Sequence, residues 1–136
     1  MKATLSATLL AFLLSACGGA QGPETSPEAQ QNLRVDLAEL LIKSRAFHEA
    51  APILRAALER DPKDPRIHLL LGVTLRDKGV YVEGERSLRR ALELNPQLAE
   101  AHSALGVLLS LTGRHELALH AHERAVELKG DHAPFH

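Results

Sequence analysis

The chain has 136 residues, about one domain, with 16 basic residues against 17 acidic ones. That near balance leaves no surplus of positive charge for nucleic acid, and three Phe with one Tyr are too few to stack bases. Ala and Leu dominate while β-branched residues are scarce, so helix is expected over sheet.

Residues 1–16 carry one cation, Lys2, an apolar run from Ala3 to Leu14, and then small residues, the layout of a secretory signal peptide. The run is shorter than the about 20 apolar residues that span a bilayer. The chain's single cysteine follows, in Leu14-Ser15-Ala16-Cys17. This stretch resembles the lipobox of bacterial lipoproteins. The resemblance implies that Cys17 is acylated and becomes the new N-terminus, that the protein is anchored to a lipid bilayer in the cell envelope, and, with Gly18 rather than Asp next, that it faces the periplasm from the outer membrane. The other reading is an ordinary signal peptide or an uncleaved anchor, with Cys17 incidental. Residues 17–26 have no apolar periodicity and read as a flexible tether. Ser26-Pro27-Glu28 reads as a helix start, with Ser as N-cap, Pro at the first helical position and an acid in the first turn.

Residues 27–136 are periodic at 34 residues. Pro62 and Pro96 stand 34 apart, each after Asp or Asn. The same offset relates Leu37, Leu71 and Leu105, the small residues Ala38, Gly72 and Gly106, and the set Leu41, Leu75 and Leu109. It also relates Ala50, Gly84 and Ala118, then Ala57, Ala91 and Ala125. Within each unit the apolar and small residues recur at three, four and seven, one helix face. A break falls at Arg45-Ala46, Gly79-Val80 and Gly113-Arg114, where Gly can end a helix in the left-handed conformation. The pattern predicts helices over 27–44, 47–60, 65–78, 81–94, 98–112 and 115–129. Ala38, Gly72, Gly106, Ala50, Gly84 and Ala118 are expected where the two antiparallel helices of each unit approach most closely. A helix-interior Gly costs about 1 kcal/mol against Ala, and close packing is the reason to find Gly72 and Gly84 there.

A 34-residue unit of this kind, closing on Asp/Asn-Pro, resembles the tetratricopeptide repeat. The resemblance implies an all-α, right-handed superhelix of antiparallel helix pairs, with repeats at about 31–64, 65–98 and 99–132 and the start of a fourth at 133–136. It implies a concave surface lined by the first helices that holds a peptide or protein partner, and no catalysis. Arg34, His68 and His102 depart from the family's early aromatic, and His122 from the bulky position held by Leu54 and Leu88. The inner-face positions are Val35, Glu39 and Ile42, then Leu69, Val73 and Arg76, then Ser103, Val107 and Ser110. These are the candidate groove residues, although the apolar ones would equally serve as packing. The Lys and Asn set with which some members clamp a terminal carboxylate is missing, so an apolar helix or extended segment suits the groove better.

"HAPFH" (132–136) aligns with the openings of the second and third repeats, which reads as a truncated array or else a natural short one with a frayed tail. Ala121, Ala125, Val126 and Leu128 are then expected to lack full cover, and self-association through that uncapped face follows. "HELALH" (115–120) is not a zinc motif: His115 and His120 are five apart and point roughly 140° from one another on a helix. A looser metal site using His115, His122, His132 and His136, in a periplasmic metal-handling or enzyme-accessory protein, is one alternative function, and a truncated, non-functional repeat fragment is another; no cofactor is expected. Among lipoproteins with this layout the chain is most similar to those that assist type IV pilus biogenesis, which help an outer-membrane secretin assemble.

Overall fold

A computed structural model describes residues 25–130. Cys17, most of the tether and the segment 131–136 lie outside the described residues. The chain divides into two compact units, residues 1–30 and 31–136. The described residues hold six α-helices and no strand: α1 Pro27–Lys43, α2 Phe47–Arg60, α3 Pro65–Asp77, α4 Tyr81–Leu94, α5 Ala99–Leu111 and α6 His115–Gly130. Every bound falls within one residue of the bound that the 34-residue pattern predicts.

In the first unit, Ser26 caps α1. Its Oγ accepts the Ala29 N–H at 3.1 Å and its carbonyl accepts the Gln30 N–H at 3.0 Å, with Pro27 next in sequence.

In the second unit the helices pair as hairpins. Each hairpin turn has the same construction, 34 residues apart. Arg45, Gly79 and Gly113 adopt φ of 64°, 80° and 79°. The next N–H reaches back to a helical carbonyl: Ala46 to Leu41 at 2.8 Å, Val80 to Leu75 at 2.8 Å, Arg114 to Leu109 at 2.9 Å. These are Schellman closures, and the first is made without glycine. Between repeats, Asp61 Oδ1 accepts the Lys63 N–H at 3.2 Å and Asn95 Oδ1 the Gln97 N–H at 3.1 Å. Each Asx turn places Pro62 or Pro96 where it needs no donor.

α3 packs on α4 and α5 on α6 within hairpins, while α2 meets α3, α4 meets α5 and α3 meets α5 between repeats. The buried apolar residues form two layers. One joins Val35 and Ala38 of α1, Leu54 and Ala57 of α2, and Ile67, Leu71 and Leu75 of α3. The other joins Leu69 of α3, Leu88 and Ala91 of α4, five residues of α5 from Ala101 to Leu109, and Ala118 and Ala121 of α6. Each layer therefore extends past one repeat into the first helix of the next. That is how a solenoid is held: a hairpin alone cannot bury its apolar face, and stacking closes it.

One expectation about burial needs correction. Ala121, Ala125 and Leu128 are buried, and of the four residues expected to lack cover only Val126 is exposed. Ala118, Ala121, Ala125 and Leu128 follow one another at spacings of three, four and three, so they share the α6 face whose Ala118 and Ala121 pack in the layer with α5. Among the described residues no helix is long and apolar enough to cross a membrane.

Candidate functional site

The first helices of the three repeats, α1, α3 and α5, bring their inner faces to one cavity of about 530 Å³. Its lining is Glu39 from α1, Arg66, Leu69 and Leu70 from α3, Leu98, Ala99 and Glu100 at the start of α5, and Lys129 near the end of α6. Leucines and one alanine supply apolar wall, and two acids and two bases surround it. A volume of that size is within the ordinary range for ligand sites.

Two of the four charges, Glu39 and Arg66, are held in place. Arg66 reaches from α3 across to α1, its Nη2 donating to Asp36 Oδ1 at 2.9 Å and to Glu39 Oε2 at 2.6 Å. Lys43 Nζ lies 3.3 Å from the other Glu39 oxygen. Hydrogen bonding from Arg66, then from Lys43, holds the Glu39 carboxyl below the ordinary carboxylate range; Glu39 and Asp36 raise the Arg66 guanidinium in return. Glu39 is thus an ionised hydrogen-bond acceptor rather than a proton carrier. The arrangement suits recognition of a chain with apolar side chains and backbone polar groups.

Of the nine groove residues expected from sequence, Glu39 and Leu69 line this cavity. Val35 is a correction: only 2% exposed, it is part of the core layer with Leu54 and Ala57 and offers a partner no surface. Leu69 is 5% exposed and serves mainly the second core layer, touching the cavity as its floor. Ile42 and Val73 are half-buried against those layers. Arg76 is turned to Asp77, Nε to Oδ1 at 3.0 Å. Ser103 is half-buried, whereas Val107 and Ser110 are exposed on α5. Arg66, Leu70, Leu98, Ala99, Glu100 and Lys129 are cavity residues that the four-and-three spacing passed over. Arg66 and Glu100 stand 34 apart in the first turn of their helices, so extending the in-phase comparison to the helix starts would have found them.

The helix-packing residues sit at contacts of different kinds. Ala38, Ala50 and Ala118 are buried. A Cβ on Gly72 would stand 2.6 Å from Leu88 Cγ, and one on Gly84 3.2 Å from the Gly72 carbonyl oxygen, so α3 and α4 touch backbone to backbone. A Cβ on Gly106 would meet the His122 ring at 2.7 Å. His122 therefore fills the place of Leu54 and Leu88 because Gly106 leaves room for its ring.

The other histidines that depart from the repeat pattern are also accounted for. His68 Nε2 lies 2.8 Å from the Pro62 carbonyl oxygen, and His102 Nε2 2.8 Å from that of Pro96. Each ring ties the first turn of its helix to the Asx turn before it. Among the described residues no three of His, Cys, Asp or Glu come together to hold a metal ion. His132 and His136 lie outside the described residues.

Two family profiles, each described as a tetratricopeptide repeat, match residues 24–74 and 74–133. The fold is similar to that of MamA from MSR-1, with 27% identity, a TM-score of 0.67, and coverage of 76% of this chain and 59% of that one. YrrB, described as a TPR protein with an unusual peptide-binding site, matches with 25% identity and a TM-score of 0.68 over 75% of this chain and 53% of its own. MamA from Desulfovibrio magneticus RS-1, at 24% identity and a TM-score of 0.65, shares the fold over 70% of this chain and 54% of its own. The chain thus spans between half and three fifths of each of these proteins. No curated protein sequence matches it.

Proposed function

We propose that this chain, whose residues 24–133 carry tetratricopeptide repeats, is a scaffold that holds a protein segment along the inner faces of α1, α3 and α5. The observation that carries the reading is the cavity with Leu69, Leu70 and Leu98 in its wall and Glu39, Arg66, Glu100 and Lys129 around it. An apolar helix or an extended segment laid across it would bury side chains against the leucines, while the charges around them meet backbone or side-chain polar groups. The peptide-binding site in the description of YrrB supports the same use of the fold. The reading is of a binding module and not a catalyst.

In the cell, acylated Cys17 would tether this scaffold to the periplasmic side of a bacterial outer membrane, with residues 17–26 as leash. The partner would then be a component of an envelope machine, and the secretin of a type IV pilus is the one the lipoprotein layout favours. Self-association through the end of the array belongs to the same reading.

Selection of peptides by display on the full chain, followed by fluorescence anisotropy of those recovered, tests the groove. Val107→Glu and Glu100→Lys alter exposed side chains on α5, so the fold should hold while affinity falls about tenfold, or 1.4 kcal/mol. Arg90→Glu on α4, away from the cavity, should leave affinity unchanged. Peptides whose binding ignores Val107 and Glu100 but responds to Arg90 would move the site elsewhere.

A further inference from the structure

The 34-residue repeat lets each helix face be compared with its own counterparts, and one stripe stands apart. Leu33, Leu37 and Leu40 lie on α1 at spacings of four and three, one face of a helix. They are 68%, 47% and 63% exposed. Their counterparts are Ile67, Leu71 and Thr74 one repeat on, and Ala101, Leu105 and Leu108 two repeats on; none exceeds 6%. In α3 and α5 this stripe is covered by the second helix of the preceding repeat. Ile67 and Leu71 share a layer with Leu54 and Ala57, with Leu58 packed against it. Ala101 and Leu105 share one with Leu88 and Ala91, with Leu92 packed against it.

The other half of that contact is open on α6. Val126 is the counterpart of Leu58 and Leu92, and it is 70% exposed. Leu119 is the counterpart of Glu85, whose carboxylate is paired with Arg114 of the following turn. Leu119 too is exposed. Carrying the Glu85–Arg114 pair forward by one repeat sets Leu119 opposite Ala46 of a following unit, an apolar pair.

We propose that these two faces bind each other between copies: α6 of one chain covers the Leu33–Leu37–Leu40 stripe of a second, head to tail. This deepens the self-association part of the function above and is independent of the groove. The occupant is a second copy because the contact continues, at the same register, the interface that already joins α2 to α3 and α4 to α5. It is heterologous, so it leaves one free end of each kind and extends chains rather than closing a dimer. The register also sets its weakness. Arg55 pairs with Glu83 between second helices at 3.0 Å. The same offset at the junction brings Glu123 opposite Glu49 of the next copy, two exposed acids. Association therefore rises with protein concentration and with salt.

Disulfide trapping in the full chain tests the mode. With Cys17→Ser removing the only native thiol, Leu37→Cys and Val126→Cys place single cysteines at two exposed positions on opposite faces. Under an added oxidant, the mixture of the two variants should give covalent dimer well in excess of either alone, and the double variant should give a ladder. In sedimentation velocity, Glu123→Arg should shift association to about threefold lower concentration, and Leu33→Glu should abolish it. The groove variant Val107→Glu should leave the trapping unchanged, which separates failure of this contact from failure of the groove. Equal dimer from each single-cysteine variant would mean a symmetric contact and overturn the proposal. So would monomer at every concentration with no trapping in the mixture, the result expected if residues outside 25–130 cover these faces.

Discussion

Gly72→Ala should destabilise the protein, although in an open helix the same change would stabilise it. Ala is preferred over Gly in a helix interior by about 1 kcal/mol. Against that gain, the new Cβ would sit 2.6 Å from Leu88 Cγ, 2.8 Å from Leu88 Cδ2 and 3.1 Å from the Gly84 carbonyl oxygen. Leu88 is fully buried in the layer it shares with Ala101 and Leu105, so it cannot swing aside without displacing them. The Gly84 oxygen is helix backbone and cannot move alone. A Cβ on Gly84 would be just as close to the Gly72 oxygen and the Arg76 nitrogen, both at 3.2 Å. Overpacking of this kind costs about 1–3 kcal/mol, which leaves a net loss of about 1 kcal/mol for Ala and a larger one for Leu. In a domain of this size that lowers the melting temperature by about 4 °C. Gly106→Ala makes the internal comparison. Its Cβ would meet the His122 ring at 2.7 Å, but that ring is half-buried and can rotate outward, so the loss should be smaller. Thermal and urea unfolding followed by far-ultraviolet circular dichroism reads both. If Gly72→Ala melts at or above the parent temperature, or if Gly106→Ala is the more damaging change, the hairpin contact is not as tight as argued.

Arg45→Gly should stabilise by about 0.5–1 kcal/mol, because it relieves a non-glycine residue at φ 64° where Gly79 and Gly113 serve the other turns; a lower urea midpoint would count against it. Acid should weaken the array through two carboxylates. Glu85 is held below its ordinary 4.5 by hydrogen bonding from Arg114 and then Arg89, and Glu39 below 4.5 by Arg66 and Lys43. A depressed carboxylate contributes stability that is full above its unfolded value and lost as pH falls through the folded one. The urea midpoint should therefore decline from about pH 5 downward, and Glu85→Gln should flatten that decline; an unaltered slope would remove Glu85 from the account. Cys17→Ala should abolish lipid labelling and release the protein from the membrane fraction, and unchanged fractionation would exclude acylation there.

The fold was legible because three copies of one pattern repeat the same instructions. The helix bounds inside the array are marked by chemistry that recurs at 34 residues: Asp or Asn before Pro between repeats, a left-handed residue at each hairpin turn. Even Arg45 gave itself away by phase, since its own type is a poor clue to φ 64°. What phase cannot report is surroundings. Leu37, Leu71 and Leu105 are the same letter in the same register, yet Leu37 is half-exposed and the other two are buried, because burial depends on whether a neighbouring hairpin stands on that side. The same limit misplaced Val35 in the groove. Four-and-three spacing groups residues by helix face, but the inward face of α1 meets both a core layer and the cavity, and only three-dimensional packing assigns Val35 to the first and Glu39 to the second. Of the looser metal set, His122 looked like a spare ligand for the same reason, while His68 and His102 read only as departures from the repeat's aromatic. Their partners are two proline carbonyls and a glycine face, groups with no side-chain signature, so a histidine bonded to backbone is indistinguishable in sequence from one awaiting a metal. A repeat's sequence thus specifies an interface more firmly than it specifies what fills it. By that logic the exposed leucines of α1 and the exposed Val126 of α6 are the two halves of the array's own contact, and the cysteine-trapping experiment asks whether a second copy brings them together.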